Sequence, residues 1–129
     1  SEECNIKKKV IEFNMQENVI LLGRKENPYP FIKACDIYAQ PSRYEGKSVT
    51  VREAQILCKP VVITNYETAP SQIKDKFNGA IVPMDNKGCA NGISEFIINV
   101  SLQNDIKINC SKQRFGNESE IEKIYSFIR

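Results

Sequence analysis

Four short apolar runs, Val19-Ile-Leu-Leu22, Ile37-Tyr-Ala-Gln40, Val61-Val-Ile-Thr64 and Ala80-Ile-Val82, recur along the first two thirds of the chain. Each stops at a glycine, a proline or a polar loop. Runs this short and rich in β-branched residues read as strands. They are continuous rather than alternating, which suits strands covered on both faces, as in a parallel sheet.

Stretches with helical spacing separate these runs. Ile6, Val10 and Phe13 mark an amphipathic helix over 3–14, and Pro30 to Ala34 a short one. Val49 to Leu57 carries a helical pattern that Lys59-Pro60 ends. A brief helix is expected around Ser71–Lys76. Ile93, Phe96, Ile97 and Val100 mark one face of a later helix. Ile121, Ile124, Tyr125 and Ile128 mark a last one, opened by Asn117 as cap, with Glu118 and Glu120 in its first turn.

Strands alternating with helices predict βαβ units, hence an α/β, Rossmann-like parallel sheet with flanking helices. A complete doubly wound domain has roughly five or six strands. Only four are counted here, so residues 1–129 are expected to form a single partial domain lacking its leading strands.

Composition narrows the chemistry. There is no histidine, which removes the commonest general base, the Ser–His and Cys–His nucleophile schemes and the commonest transition-metal ligand. Carboxylates, lysine, arginine, hydroxyls and backbone amides remain. The 18 basic and 16 acidic residues leave a net charge of +2, which gives little drive toward nucleic acid or anionic lipid. Five cysteines, widely spaced and odd in number, predict free thiols and a reducing, cytoplasmic compartment. No run approaches the ~20 apolar residues that span a bilayer.

In an open parallel sheet, ligands bind beyond the carboxyl ends of the strands. The segment after the second run, Pro41-Ser-Arg-Tyr-Glu-Gly-Lys-Ser-Val-Thr-Val-Arg-Glu53, therefore draws attention. It turns through Gly46 and enters a helix with Ser48 as a natural N-cap. The amides of Val49 and Thr50 would face the strand-end crevice, where a helix start favours phosphate. Glu45 precedes the turn and Glu53 follows it, so they can flank a ligand without sharing a helix face. Ionised carboxylates only accept hydrogen bonds, which suits pairs of sugar or ribose hydroxyls. A capped turn with two glutamates also occurs as plain helix chemistry, with the charges merely complementing the dipole.

The stretch from Pro41 to Thr64 resembles the signature of glycosyltransferase family 4, retaining enzymes of the two-domain GT-B architecture. The pattern is Pro-Ser, Glu-Gly, seven residues between two glutamates, Glu-Ala, then a Pro-Val-Val strand. Asn18-Val-Ile-Leu-Leu-Gly23 and Asn78-Gly-Ala-Ile-Val-Pro83 are similar to the family in order and spacing. The resemblance implies a C-terminal, donor-binding domain, incomplete here, with the first βα unit and an N-terminal acceptor domain missing. It implies that Glu53 hydrogen-bonds the ribose and that Glu45, the candidate catalytic residue, contacts donor-sugar hydroxyls. The loop Gly46, Lys47, Ser48 and Val49 would offer its amides to sugar and distal phosphate.

The same resemblance implies a metal-independent enzyme with a UDP- or GDP-sugar as donor. A glycan or lipid-linked acceptor would be held by the other domain, with at most peripheral contact at the inner face of a membrane and no nucleic acid partner. A fragment without that domain is expected to be inactive, since transfer needs donor and acceptor together. Two departures stand out. The usual second loop glycine is replaced by Ser48, which restricts backbone approach, and the arginine and lysine of the family's first unit have no counterpart.

Glu67 and Thr68, in the loop Asn65–Ser71, would border the donor. Tyr29 and Phe31 suit a base pocket or plain packing, and Arg43 an ion pair with Glu45. Two rival readings remain: a non-catalytic, flavodoxin-like nucleotide- or partner-binding module, and a related GT-B enzyme that uses a sugar phosphate.

Overall fold

A computed structural model describes residues 2–46, 48–113 and 126. Three strands form a parallel sheet in the order β1 (Tyr38–Gln40), β2 (Val61–Thr64), β3 (Ala80–Val82). Ala39 lies opposite Val62, and Ile63 opposite Ile81. The central strand is buried along its whole length, as its unbroken apolar run requires.

Helices α2 (Tyr29–Ala34) and α3 (Val49–Ile56) flank β1, and α4 (Ala69–Gln72) links β2 to β3. α5 (Asn86–Ile98) and α6 (Val100–Lys112) follow. Ser48 caps α3 by accepting from the Val51 amide, and Val51, Ala54 and Ile56 bury its inner face. Gln55 is also buried there, its amide satisfied by the Asn78 carbonyl at 3.1 Å. Asp85 caps α5. Gly92 lets that helix press on the sheet, because a Cβ there would come within 2.6 Å of Val82 Cγ1. Ile106 and Cys110 of α6 complete the core. Burial pushes the Cys110 thiol up to about 12, with a smaller effect from Cys58, as befits a thiol used for packing.

Three details differ from the expectations above. The run Val19–Leu22 is no strand: it pairs with none among the described residues, and its side chains are 38–78% exposed. Helix α1 (Glu2–Glu12) beside it has no buried residue, so this region stands apart from the core. A shallow groove lined by Lys7, Val10, Ile11, Gln16, Val19 and Leu21 runs between the two.

The brief helix after β2 sits further upstream than 71–76, because Pro70 is pre-set for a first turn and Ile73 is extended. The face through Ile93, Phe96, Ile97 and Val100 does not hold. Asn99 leaves helical geometry and caps α6, and Gln103 ties the carbonyls of Phe96 and Ile97. Only Phe96 of the four is buried. The helix expected over 121–128, with Asn117, Glu118 and Glu120, lies outside the described residues. No helix among the described residues is long and apolar enough to cross a membrane.

Candidate functional site

Pro41 ends β1 and releases the chain into the segment that leads to α3. Two threonines fasten this segment to the neighbouring strand and its loop. The Thr64 hydroxyl donates to the Ser42 carbonyl at the end of β2. Thr68 Oγ1 donates to the carbonyls of Glu45 and Gly46, at 2.8 and 3.1 Å. The Ser42 hydroxyl in turn donates to Glu45 Oε1 at 2.8 Å. Glu45 thus keeps one oxygen on its own loop. No ion pair joins it to Arg43 among the described residues, contrary to the expectation for that neighbour.

An open crevice of about 550 Å³ adjoins this segment, lined by Arg43, Tyr44, Glu45, Gly46, Glu67 and Met84. These residues follow β1, β2 and β3 respectively, so the crevice lies beyond the carboxyl ends of all three strands. Nothing lies within 4 Å of where a Gly46 Cβ would stand, so its backbone is open to a ligand.

Ser48 is held from every side. Gln72 Nε2 donates to its carbonyl at 2.8 Å, and Gln72 Oε1 accepts from its amide at 3.1 Å. Gln40 Nε2 donates to its hydroxyl at 3.0 Å, and that hydroxyl accepts from the Val51 amide at 3.3 Å. Tyr38 supports Gln40 by donating to its Oε1 at 2.7 Å, and the buried Tyr66 donates to Gln72 Oε1 at 3.2 Å. At the start of α3 the amides of Ser48 and Val51 are therefore occupied. Those of Val49 and Thr50 take no partner among the described residues.

Glu53 sits one turn further on, half-buried. The Tyr29 hydroxyl donates to its Oε1 at 3.0 Å. Burial pushes the Glu53 carboxyl above the ordinary carboxylate range, and the Tyr29 hydrogen bond offsets this in part. The Tyr29 phenol is raised by burial first, then by the bond to Glu53 and that carboxylate's charge. Tyr38 stands within electrostatic reach of both glutamates. Its phenol is raised mainly by burial, with Glu45 and Glu53 adding and the Thr50 hydroxyl opposing.

The structure therefore brings Glu45, Gly46 and Glu67 to one crevice and sets Ser48 beneath them as a capped anchor. Glu53 does not line that crevice but faces Tyr29 at the start of α2, and Val49 is exposed. Lys47 lies outside the described residues. Among the described residues no group of three or more His, Cys, Asp or Glu is placed to hold a metal ion. Sequence reasoning missed Gln40, Gln72 and Tyr66. No spacing rule pairs a glutamine with a serine 24 positions earlier.

Four similarities to known proteins bear on this geometry. The model of a family described as "Glycosyl transferases group 1" matches residues 1–113. An uncharacterized glycosyltransferase of Methanocaldococcus jannaschii is 40% identical over 62 residues, 48% of this chain and 15% of that protein. A UDP-Gal:alpha-D-GlcNAc-diphosphoundecaprenol alpha-1,3-galactosyltransferase of Escherichia coli is 26% identical over 75 residues, 58% of this chain and 19% of that protein. Among solved structures, TarM superposes with a TM-score of 0.76 at 25% identity, covering 100% of this chain and 27% of its own. The chain thus spans less than a third of the length of each of these relatives, and its small α/β domain matches GT-B structures in fold.

Proposed function

The chain belongs to the family of glycosyl transferases group 1, and from that premise we propose that it is the nucleotide-sugar-binding part of a retaining, family 4-type glycosyltransferase. The observation that carries this reading is the placement of Glu45 and Gly46 on a crevice beyond three parallel strand ends, just before a helix start whose Val49 and Thr50 amides take no partner among the described residues. The amides of Val49 and Thr50 meet the distal phosphate, with the helix dipole behind them. Glu45 turns its remaining oxygen to hydroxyls of the donor sugar, with Glu67 on the facing wall. Glu53 takes the ribose diol, and Tyr29 holds its other oxygen in place.

In the reaction, the bond between the anomeric carbon and the diphosphate oxygen breaks, and its electron pair stays on the phosphate. The acceptor hydroxyl bonds to the same face of the sugar, and its proton leaves with the diphosphate. Charge grows on the phosphate as this happens, and preorganised amides stabilise it without a metal. The galactosyltransferase named above uses UDP-Gal and a diphosphoundecaprenol-linked sugar, as its name states. A UDP- or GDP-sugar and a lipid-linked or glycan acceptor are the corresponding substrates here, met at the inner face of a membrane.

Titration of isotope-labelled protein with UDP and GDP tests the reading. One nucleotide should shift the amides from Glu45 to Glu53, and Glu53→Ala should weaken it about tenfold, the equivalent of ~1.4 kcal/mol. Binding that ignores Glu53→Ala, or shifts confined to another surface, would refute the assignment.

A further inference from the structure

Every polar group of Ser48 is engaged, yet capping α3 needs only its hydroxyl and its carbonyl. The hydroxyl already accepts from the Val51 amide, and the carbonyl takes the first helical bond from the Arg52 amide at 3.4 Å, which is all an N-cap requires. A second set of bonds comes from far along the chain. Gln72, at the end of a four-residue helix, holds both main-chain groups of Ser48 at once. Its amide can face only one way, because the reversed amide would set donor against donor and acceptor against acceptor. The hydroxyl of Tyr66, 1% exposed, fixes the glutamine from behind.

This arrangement decides which amides a ligand can use. A helix start without such a contact offers the cap residue's amide along with those that follow. Here the Ser48 amide is taken, and those of Val49 and Thr50 take no partner among the described residues. We propose that Gln72 is a positioning residue: by gripping the Ser48 main chain it withdraws that amide and aims the Val49 and Thr50 amides at the distal phosphate of the donor. This rests on the donor-site reading above.

The contact acts on the phosphate end of the ligand and leaves the nucleoside end alone, so the two ends should respond differently. Gln72→Met matches the side chain in length and removes both bonds. It is expected to weaken UDP about five- to tenfold, in keeping with the loss of one or two hydrogen bonds. Uridine should stay within about twofold of wild type, since its ribose is held by Glu53. Exchange of the Ser48 amide with solvent should quicken in the unliganded variant while amides at the far end of α3 keep their rates. Glu53→Ala serves as the contrast and should weaken UDP and uridine together.

The measurement is an NMR titration of the whole chain with UDP and uridine, with GDP and guanosine in parallel. Equal loss of nucleotide and nucleoside in Gln72→Met would show a general structural role and overturn the proposal, as would unchanged affinity or unchanged Ser48 exchange. If wild type binds none of the four, the donor-site reading fails and this inference falls with it. If wild type binds and only the Gln72→Met contrast is missing, the donor site stands and the clamp alone is wrong.

Discussion

Two apolar tetrapeptides, Val19-Ile-Leu-Leu22 and Val61-Val-Ile-Thr64, read almost alike in sequence and end up at opposite extremes. Every residue of the second is at most 2% exposed, whereas Ile20 in the first is 78% exposed. The second lies between β1 and β3 and finds a hydrogen-bonded partner on each side. The first lines a groove beside α1 and pairs with no strand among the described residues. An apolar run is therefore an offer of a strand, and neighbours on its edges decide whether it becomes one. A backbone without such partners leaves its polar groups to water, and the side chains stay outside with it.

Truncating one side chain in each run turns the contrast into a measurement. Ile63→Ala opens a cavity in the central strand and should cost about 2–5 kcal/mol, read as a lower urea midpoint. Ile20→Ala should change stability by less than about 0.5 kcal/mol, as for an ordinary surface position. Equal losses would mean that the two regions share one core, and the comparison would collapse.

The same contrast explains what was legible in advance. β2, β3 and the Ser48 cap were readable because their signals are local: a β-branched run between loops, and a hydroxyl directly before Val49. The strand-end position of Glu45 and Gly46 followed from the topology rule for parallel sheets. Partnerships at long range were not readable. Nothing near Gln72 announces Ser48, and nothing near Tyr29 announces Glu53 24 positions later. The division of α5 from α6 was hidden because apolar spacing continues through Asn99, while the break is made by its backbone and cap. The failed strand at 19–22 belongs with these, since its fate was set by partners rather than by its residues.

Glu53 sharpens the comparison in a different way, because it is a charged group placed in the packed region. Its carboxyl is raised chiefly by burial, so the folded state binds a proton more readily than the unfolded chain. Its favourable contribution is complete below the unfolded carboxylate range and is lost as pH rises through the folded value. Glu53→Gln should therefore raise the Tm at pH 7, by less than Ile63→Ala lowers it, and the gain should shrink as pH falls from above the raised folded value to the ordinary carboxylate range, below which it is lost. UDP affinity should fall in the same variant, the signature of a group kept for binding at some cost in stability. A Tm gain that is constant across this pH range would show that burial of the charge is not its source.

The smallest effect is expected where the exposed region carries its own ion pair. Lys7 Nζ lies 3.5 Å from Glu3 Oε1 one turn earlier on α1, with both side chains more than half exposed. Attraction through water is weak and both flexible chains must be held still, so such an i,i+4 pair contributes only about 0.3–0.5 kcal/mol. Lys7→Ala should leave the urea midpoint almost unchanged at low salt and indistinguishable from wild type near 1 M, where screening acts within ~3 Å. The helical signal of α1 should drop slightly in low salt only. A cost above 1 kcal/mol, or one that survives salt, would mean that α1 is packed against the rest of the chain after all, and the division between the two regions would have to be redrawn.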